Sequence, residues 1–269
     1  MILLTTNYLL LATIFLLGTA VGSFLNVWSR RLLRGKPPTG RSRCEHCKHV
    51  LGFFDLIPLL SFAALSGRCR YCKNPLSWQY PIVELSTGLL FAALWSIISL
   101  SNSWLLTTGS WLALAISASA LITIFITDFS AQVIFDQTLR VAVIGAVLYR
   151  LSVRLPATDY WLLATDFISA LGIYLSLQAV RLITKKRGMG EGDPPLGFAA
   201  ALSVGFPAAL VELFLAFVGG GAVGAVLVLS GKNKLKDRIA FGPFLVIAVF
   251  ATLFFGEQIW NWYLSVLGL

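Results

Sequence analysis

Apolar runs long enough to cross a bilayer recur along the whole of this 269-residue chain, and no other feature constrains its fold as much. A helix needs about 20 mostly apolar residues to span the hydrocarbon core. Inside that core every backbone N–H and C=O must be satisfied within the protein. Runs at roughly 9–28, 82–101, 106–127, 139–153, 159–183, 195–206, 208–230 and 240–267 read as spans. The expected fold class is an all-α polytopic membrane protein with about eight transmembrane helices. Composition agrees, with 57% hydrophobic and 12% charged residues, where a soluble domain carries about 25% charge.

Charge order around the first run sets its orientation. The flank MILLTTNY carries no positive charge, whereas RRLLRGK follows the run. A cleaved signal peptide has the opposite order, so this segment is expected to be an uncleaved helix with its N-terminal tail outside. The loops 29–81, 128–138, 184–194 and 231–239 then share one side. With the helix ends beside them they hold 19 of the 21 basic residues, and only Arg150 and Arg154 fall on the other. Such a bias marks the cytoplasmic face. The net charge of +9 therefore orients the chain in a lipid bilayer and points away from nucleic acid.

Loop 29–81 is the one sizeable soluble segment, and it holds all four cysteines. Cys44-Glu45-His46-Cys47 and Cys69-Arg70-Tyr71-Cys72 form two C-x2-C pairs separated by 21 residues. Each pair presents two thiolates to one ion, and two pairs complete a tetrahedral four-cysteine zinc site. Disulfides are disfavoured in the cytoplasm. A loop with little core of its own gains order from such a metal clip. Arg43, Lys48, Arg68, Arg70 and Lys73 offset the thiolate charge, and His46 and His49 are expected to be solvated. The expected division is 1–29 as first span, 30–81 as cytoplasmic zinc domain and 82–269 as transmembrane catalytic core.

Only twelve acids occur, and an ionisable group at membrane depth is a functional candidate. Asp159 suits a helix start, and Asp237 sits among Lys234, Lys236 and Arg238 as a solvated loop charge. Asp166, Glu212 and Glu257 receive no role. Asp128, at the end of the third span, and Asp193, before the sixth, reach the same membrane boundary although 65 residues apart. Two carboxylates in one partly dry site do not readily both ionise. One can take a proton from water while the other, protonated, supports a scissile carbonyl and then protonates the leaving amine. Gly190 and Gly192, in Gly-Glu-Gly-Asp, let a substrate strand approach closely, and Pro194 fits a first helical turn. Taken alone, GEGDPP reads as an ordinary loop ending in an N-capping Asp; the second interfacial Asp gives it weight.

Several fragments resemble, in order, the type IV prepilin peptidases, bifunctional leader peptidases and N-methyltransferases among the G-x-G-D aspartyl proteases. They are Gly22-Ser23-Phe24-Leu25-Asn26-Val27 with Arg30-Arg31-Leu32, the two C-x2-C pairs around Ile57-Pro58-Leu59-Leu60-Ser61, and Ser77-Trp78-Gln79-Tyr80-Pro81-Ile82-Val83-Glu84. Asp128 with Asp136, Gly190-Glu191-Gly192-Asp193 and Phe241-Gly242-Pro243-Phe244 complete the series. The resemblance implies Asp128 and Asp193 as the catalytic pair, with Asp136 either supporting the site or capping the fourth span. It implies a bacterial inner-membrane enzyme that cleaves prepilin or pseudopilin leaders after a glycine on the cytoplasmic side. It further implies N-methylation of the new terminus from S-adenosylmethionine, with the zinc loop belonging to that bifunctional form. Two departures bear on substrate preference: Phe135 stands where the family has Pro, and Pro194-Pro195 where it has a small residue and Lys. The competing classes are an inactive or assembly homologue and a transporter that uses buried carboxylates.

Overall fold

The computed structural model describes residues 2–99, 104–156, 158–186, 188–231 and 240–268. Among them the regular elements are helices: α1 (Ile2–Leu33), α2 (Leu60–Ala64), α3 (Gln79–Ile98), α4 (Trp104–Ala131), α5 (Asp136–Arg154), α6 (Tyr160–Ile183), α7 (Asp193–Val204), α8 (Ala208–Leu229) and α9 (Gly242–Leu267). Extended pairing among the described residues is confined to two isolated bridges, Arg43 with Val50 and Arg68 with Pro75. The backbone divides into two compact units, Met1–Asn102 and Ser103–Leu269.

Among the described residues, six helices are long and apolar enough to cross a membrane: α1, α3, α4, α6, α8 and α9. The expected count of about eight is not reached, for two different reasons. The run at 139–153 lies in α5, whose 19 residues include Asp136, Arg140, Arg150 and Arg154. The run at 195–206 lies in α7, which has 12 residues, or about 18 Å of helix. The loop charges Lys232, Lys234, Lys236, Asp237 and Arg238, and also Arg187, lie outside the described residues.

In the first unit α1 packs along α3 through small residues. A Cβ added at Gly18 would meet the Gly88 backbone at 2.8 Å, and one at Gly22 the Glu84 backbone at 2.9 Å. Gly18-x3-Gly22 is thus the contact stripe that lets two apolar helices approach to backbone distance, where packing rather than water exclusion holds them. The segment between the helices carries a 3-10 turn at Phe53–Asp55, the short α2 and both cysteine pairs.

In the second unit α7 packs against α5, α6, α8 and α9. Leu196, Ala199, Ala200, Ala201 and Leu202 are all fully buried. A helix apolar on every side has no solvent face to present, and its alanines let four neighbours close around it. Arg150 of α5 caps its far end, donating from Nε to the Leu202 carbonyl (2.7 Å) and from Nη2 to that of Ser203 (2.8 Å). These terminal carbonyls have no helical partner, and a cation suits that end of the dipole. Asp166, fully buried, accepts from Arg154 Nε (3.0 Å) and from the Phe206 N–H (2.8 Å), with Arg150 Nη1 3.9 Å away.

The α4–α5 hairpin closes at Gly145, where an added Cβ would lie 2.6 Å from the Ser117 backbone nitrogen and 2.9 Å from the Ala113 carbonyl. Neither is the flexible end of a side chain. Gly145→Ala is therefore expected to destabilise the second unit by about 1–3 kcal/mol, the usual scale of overpacking, read as a lower unfolding midpoint in detergent.

Candidate active site and metal centre

Three helix ends meet around two carboxylates. Asp128 lies in the last turn of α4, Asp193 is the first residue of α7, and both are 5% exposed. Asp193 Oδ2 accepts the Gly190 N–H at 2.8 Å. That bond runs backward into the Gly-Glu-Gly loop. Asp193 therefore organises the loop and does not act as an N-cap, a position held by Gly192. The loop rests on the α4–α5 connection, since a Cβ on Gly192 would lie 2.7 Å from the Ile134 side chain.

Asp128 is held from the third side by α9. A Cβ on Gly242 would fall 2.5 Å from Asp128 Oδ2 and 3.3 Å from Leu196, which is three residues after Asp193. Only glycine permits this approach. The N-terminus of α9 therefore faces a carboxylate, the favourable polarity for a helix dipole. Asp128 Oδ2 is buried with no hydrogen-bond partner of good geometry. The Gly242 amide faces it and Asp193 lies within electrostatic reach. The Phe-Gly-Pro-Phe fragment was legible in the sequence, but its glycine had no role there, because the need for a missing side chain arises only once α9 meets α4.

The other acids separate from this pair. Asp136 is exposed and opens α5 with Phe135 as N-cap. Asp159 is the N-cap of α6, the helix start expected of it. Glu257 is exposed on α9. Glu212 is fully buried on α8, and neither of its oxygens is hydrogen-bonded.

The four cysteine sulfurs lie within 4.8 Å of one another, and no disulfide joins them. A zinc tetrahedron with Zn–S of 2.3 Å has sulfur–sulfur edges of about 3.8 Å. Cys44 and Cys72 stand 3.9 Å apart. Both pairs are built alike. Cys44 N–H donates to His49 O and Cys69 N–H to Asn74 O, while Lys48 and Lys73 N–H return to the carbonyls of Cys44 and Cys69. Lys48 (φ 59°) and Lys73 (φ 62°) take the left-handed conformation that closes each turn. This donor set fits a closed, structural zinc site of four thiolates.

Polar contacts anchor both turns. Glu45 binds Arg30 (3.2 Å) and Arg34 (2.8 Å) at the end of α1. Partial burial works against its charge, but these arginines and Lys48 outweigh it, so the carboxyl titrates below its usual range. Asp55 binds Arg70 Nε (2.6 Å) and accepts from Tyr71 Oη (3.2 Å). His49 is exposed, as expected, and its ring packs on Tyr71 with centroids 3.7 Å apart.

Comparison with known proteins matches the chain in two segments. Residues 16–98 match the bacterial peptidase A24 N-terminal domain, and residues 115–225 the type IV leader peptidase family. A prepilin leader peptidase/N-methyltransferase of Aeromonas hydrophila is 32% identical, over 96% of this chain and 95% of the relative. The chain belongs to the type IV leader peptidase family. A second relative of the same name, from Burkholderia pseudomallei (strain 1026b), is 33% identical over 91% of this chain and 85% of its own length. A third, from Legionella pneumophila, is 32% identical over 84% and 76%. No solved structure matches this chain significantly. This multi-pass leader peptidase carries its paired acids in the second matched segment and its cysteine cluster in the first.

Proposed function

We propose that this enzyme is an aspartic endopeptidase that removes the cytoplasmic leader of type IV prepilins or pseudopilins after a glycine, and that it then methylates the new N-terminus from S-adenosylmethionine. The observation that carries this reading is the meeting of Asp128 and Asp193, both buried and 65 residues apart within the second matched segment. Asp128 and Asp193 share the work: one carboxylate accepts a proton from the attacking water, and the other donates a hydrogen bond to the scissile carbonyl and then a proton to the amine. Gly190 and Gly192 leave room for an extended substrate strand beside them. Asp136, exposed at the start of α5, follows Asp128 by one connection and would support the substrate there.

The reaction belongs to 82–269 and the zinc to 30–81, with the loops of both on the cytoplasmic side of the bacterial inner membrane. Zinc bound by Cys44, Cys47, Cys69 and Cys72 supplies order to the loop and has no open coordination position for chemistry. Pro194 and Pro195 do not argue for an inactive homologue. They stand in the first turn of α7, where no intrahelical N–H is required. Asp166 is tied to two arginines and a backbone amide, which weakens a polar path across the membrane.

The test follows the mass of a full-length prepilin after incubation with the purified enzyme in detergent, with and without S-adenosylmethionine. Loss of the leader, plus one methyl with the cofactor, is the expected result. A folded, zinc-loaded enzyme that cleaves no prepilin would overturn the reading. Gly242→Ala is a sharper probe, because its methyl group would press on Asp128 from 2.5 Å. It is expected to lower the turnover number about 100-fold, the scale of misplacing a catalytic group by an ångström, while zinc content and the unfolding midpoint hold.

A further inference from the structure

Lysines and arginines crowd loop 29–81 from Arg30 to Lys48 and again from Arg68 to Lys73, yet none lies between Val50 and Gly67. That stretch reads VLGFFDLIPLLSFAALSG, and its one charge is Asp55. Asp55 is taken up within the protein. It binds Arg70, accepts from the Tyr71 hydroxyl and the Gly52 N–H, and its side chain is only 6% exposed.

The side chains are sorted opposite to those of a water-soluble domain. Asp55 and Ser61 line the hollow between this stretch and the end of α1. Phe53, Phe54 and Leu60 do not line it, and each is at least 68% exposed. Phe53 and Phe54 stand edge to face with ring centroids 5.7 Å apart, and Ala63 and Ala64 beyond them are exposed as well. An exposed apolar group of this kind marks an interaction surface.

Two contacts fix the stretch against the start of α3, and they set its depth. The Leu59 N–H donates to Glu84 Oε2 at 2.8 Å, and the Phe62 ring packs on Trp78 with centroids 5.2 Å apart. The 20 residues of α3 make about 30 Å of helix, the thickness of the hydrocarbon core. Glu84 lies five residues past the start of α3, or about 7.5 Å along it. The Pro58–Leu60 turn therefore sits beside α3 at the 5–10 Å depth to which interfacial segments bury their apolar face. Trp78, the N-cap of α3, is 70% exposed at the level of an aromatic belt. The exposed Ile82 and Leu85 continue the same apolar surface onto the span.

We propose that residues 53–64, with Trp78, form a lipid-binding surface seated in the headgroup–acyl boundary of the bilayer, with Phe53, Phe54 and Leu60 among the acyl chains. The partner is phospholipid. The surface gives the first unit a third point of membrane attachment, between its two spans, and holds the cysteine cluster against the bilayer. It rests on neither the peptidase nor the methyl-transfer reading.

The experiment places the photoreactive p-benzoylphenylalanine at Phe53, Leu60, Ile82 or Asn74 of the full zinc-loaded chain. Each variant is irradiated in nanodiscs of phosphatidylethanolamine and phosphatidylglycerol, and mass spectrometry of its peptides reads phospholipid adducts. Ile82, on a span, sets full lipid contact; Asn74, exposed beside the cysteines, sets the background. Adduct at positions 53 and 60 is expected at least tenfold above that at 74, as at 82. Zinc content checks the fold of each variant. Should the change at 60 release zinc, position 53 decides, because there an exposed ring merely gains a benzoyl group. Adduct less than tenfold above the background, with 82 labelled, overturns the surface. Cross-linked dimers in place of lipid adducts overturn it as well and assign the patch to a second copy of the chain.

Discussion

Asp128→Asn and Asp193→Asn are each expected to abolish leader cleavage, with turnover reduced by roughly 10³–10⁴-fold, the upper part of what general acid–base groups contribute. The expectation rests on their shared burial and on the way each is held. Asp193 is tied to Gly190 and Asp128 is pressed by Gly242, so the amide side chains fit the same space. The double variant is expected to be no worse than either single one, because groups that act on one proton path fail as a unit. Prepilin mass after overnight incubation reads the first result, and initial rates the second. A double variant that loses the product of the two single losses would mean that the acids act independently. S-adenosylmethionine binding should be unchanged in all three variants.

Removal of zinc is the second large effect. Structural zinc contributes on the order of 10 kcal/mol to the folding of small domains, and the segment between α1 and α3 has little else. Its two turns are joined across the sulfurs, a His49–Tyr71 ring contact and the Asp55–Arg70 pair. Chelation at neutral pH is expected to open 36–77 to protease while the helices stay protected, and methylation to fall much further than cleavage. Cys44→Ser should reproduce this without chelator. Equal loss of both activities with the helices intact would mean that the zinc segment also serves the carboxylate pair.

How far the sequence revealed this enzyme depended on whether a feature was local. The paired C-x2-C turns were legible because each repeats the same six-residue geometry, down to a left-handed lysine after the second cysteine. Apolar runs located nearly every long helix. They gave two further spans, at α5, whose 19 residues include four charges, and at α7, whose 12 residues are enclosed by four neighbouring helices; an apolar run does not distinguish a helix bathed in lipid from one enclosed by protein. The Gly18-x3-Gly22 stripe was in the sequence too, but its partner Gly88 was not deducible from α1 alone. Gly242 against Asp128 and Glu84 against Leu59 stayed hidden for the same reason. Each is a contact between distant segments, visible only once the chain has closed.

The capped end of α7 bears on how charge is counted in such chains. The 12 residues of α7 make about 18 Å of helix, short of a hydrocarbon core of about 30 Å, and Leu202 and Ser203 in its last turn are fully buried in the protein. No bulk water can solvate that end, and the Arg150 guanidinium does so instead. Arg150 and Arg154 were the two exceptions to an otherwise one-sided distribution of basic residues. Both are drawn into the protein around Asp166. An arginine that stands in for solvent inside a bundle offers nothing to the lipid surface, so it carries no vote in deciding which way the chain faces.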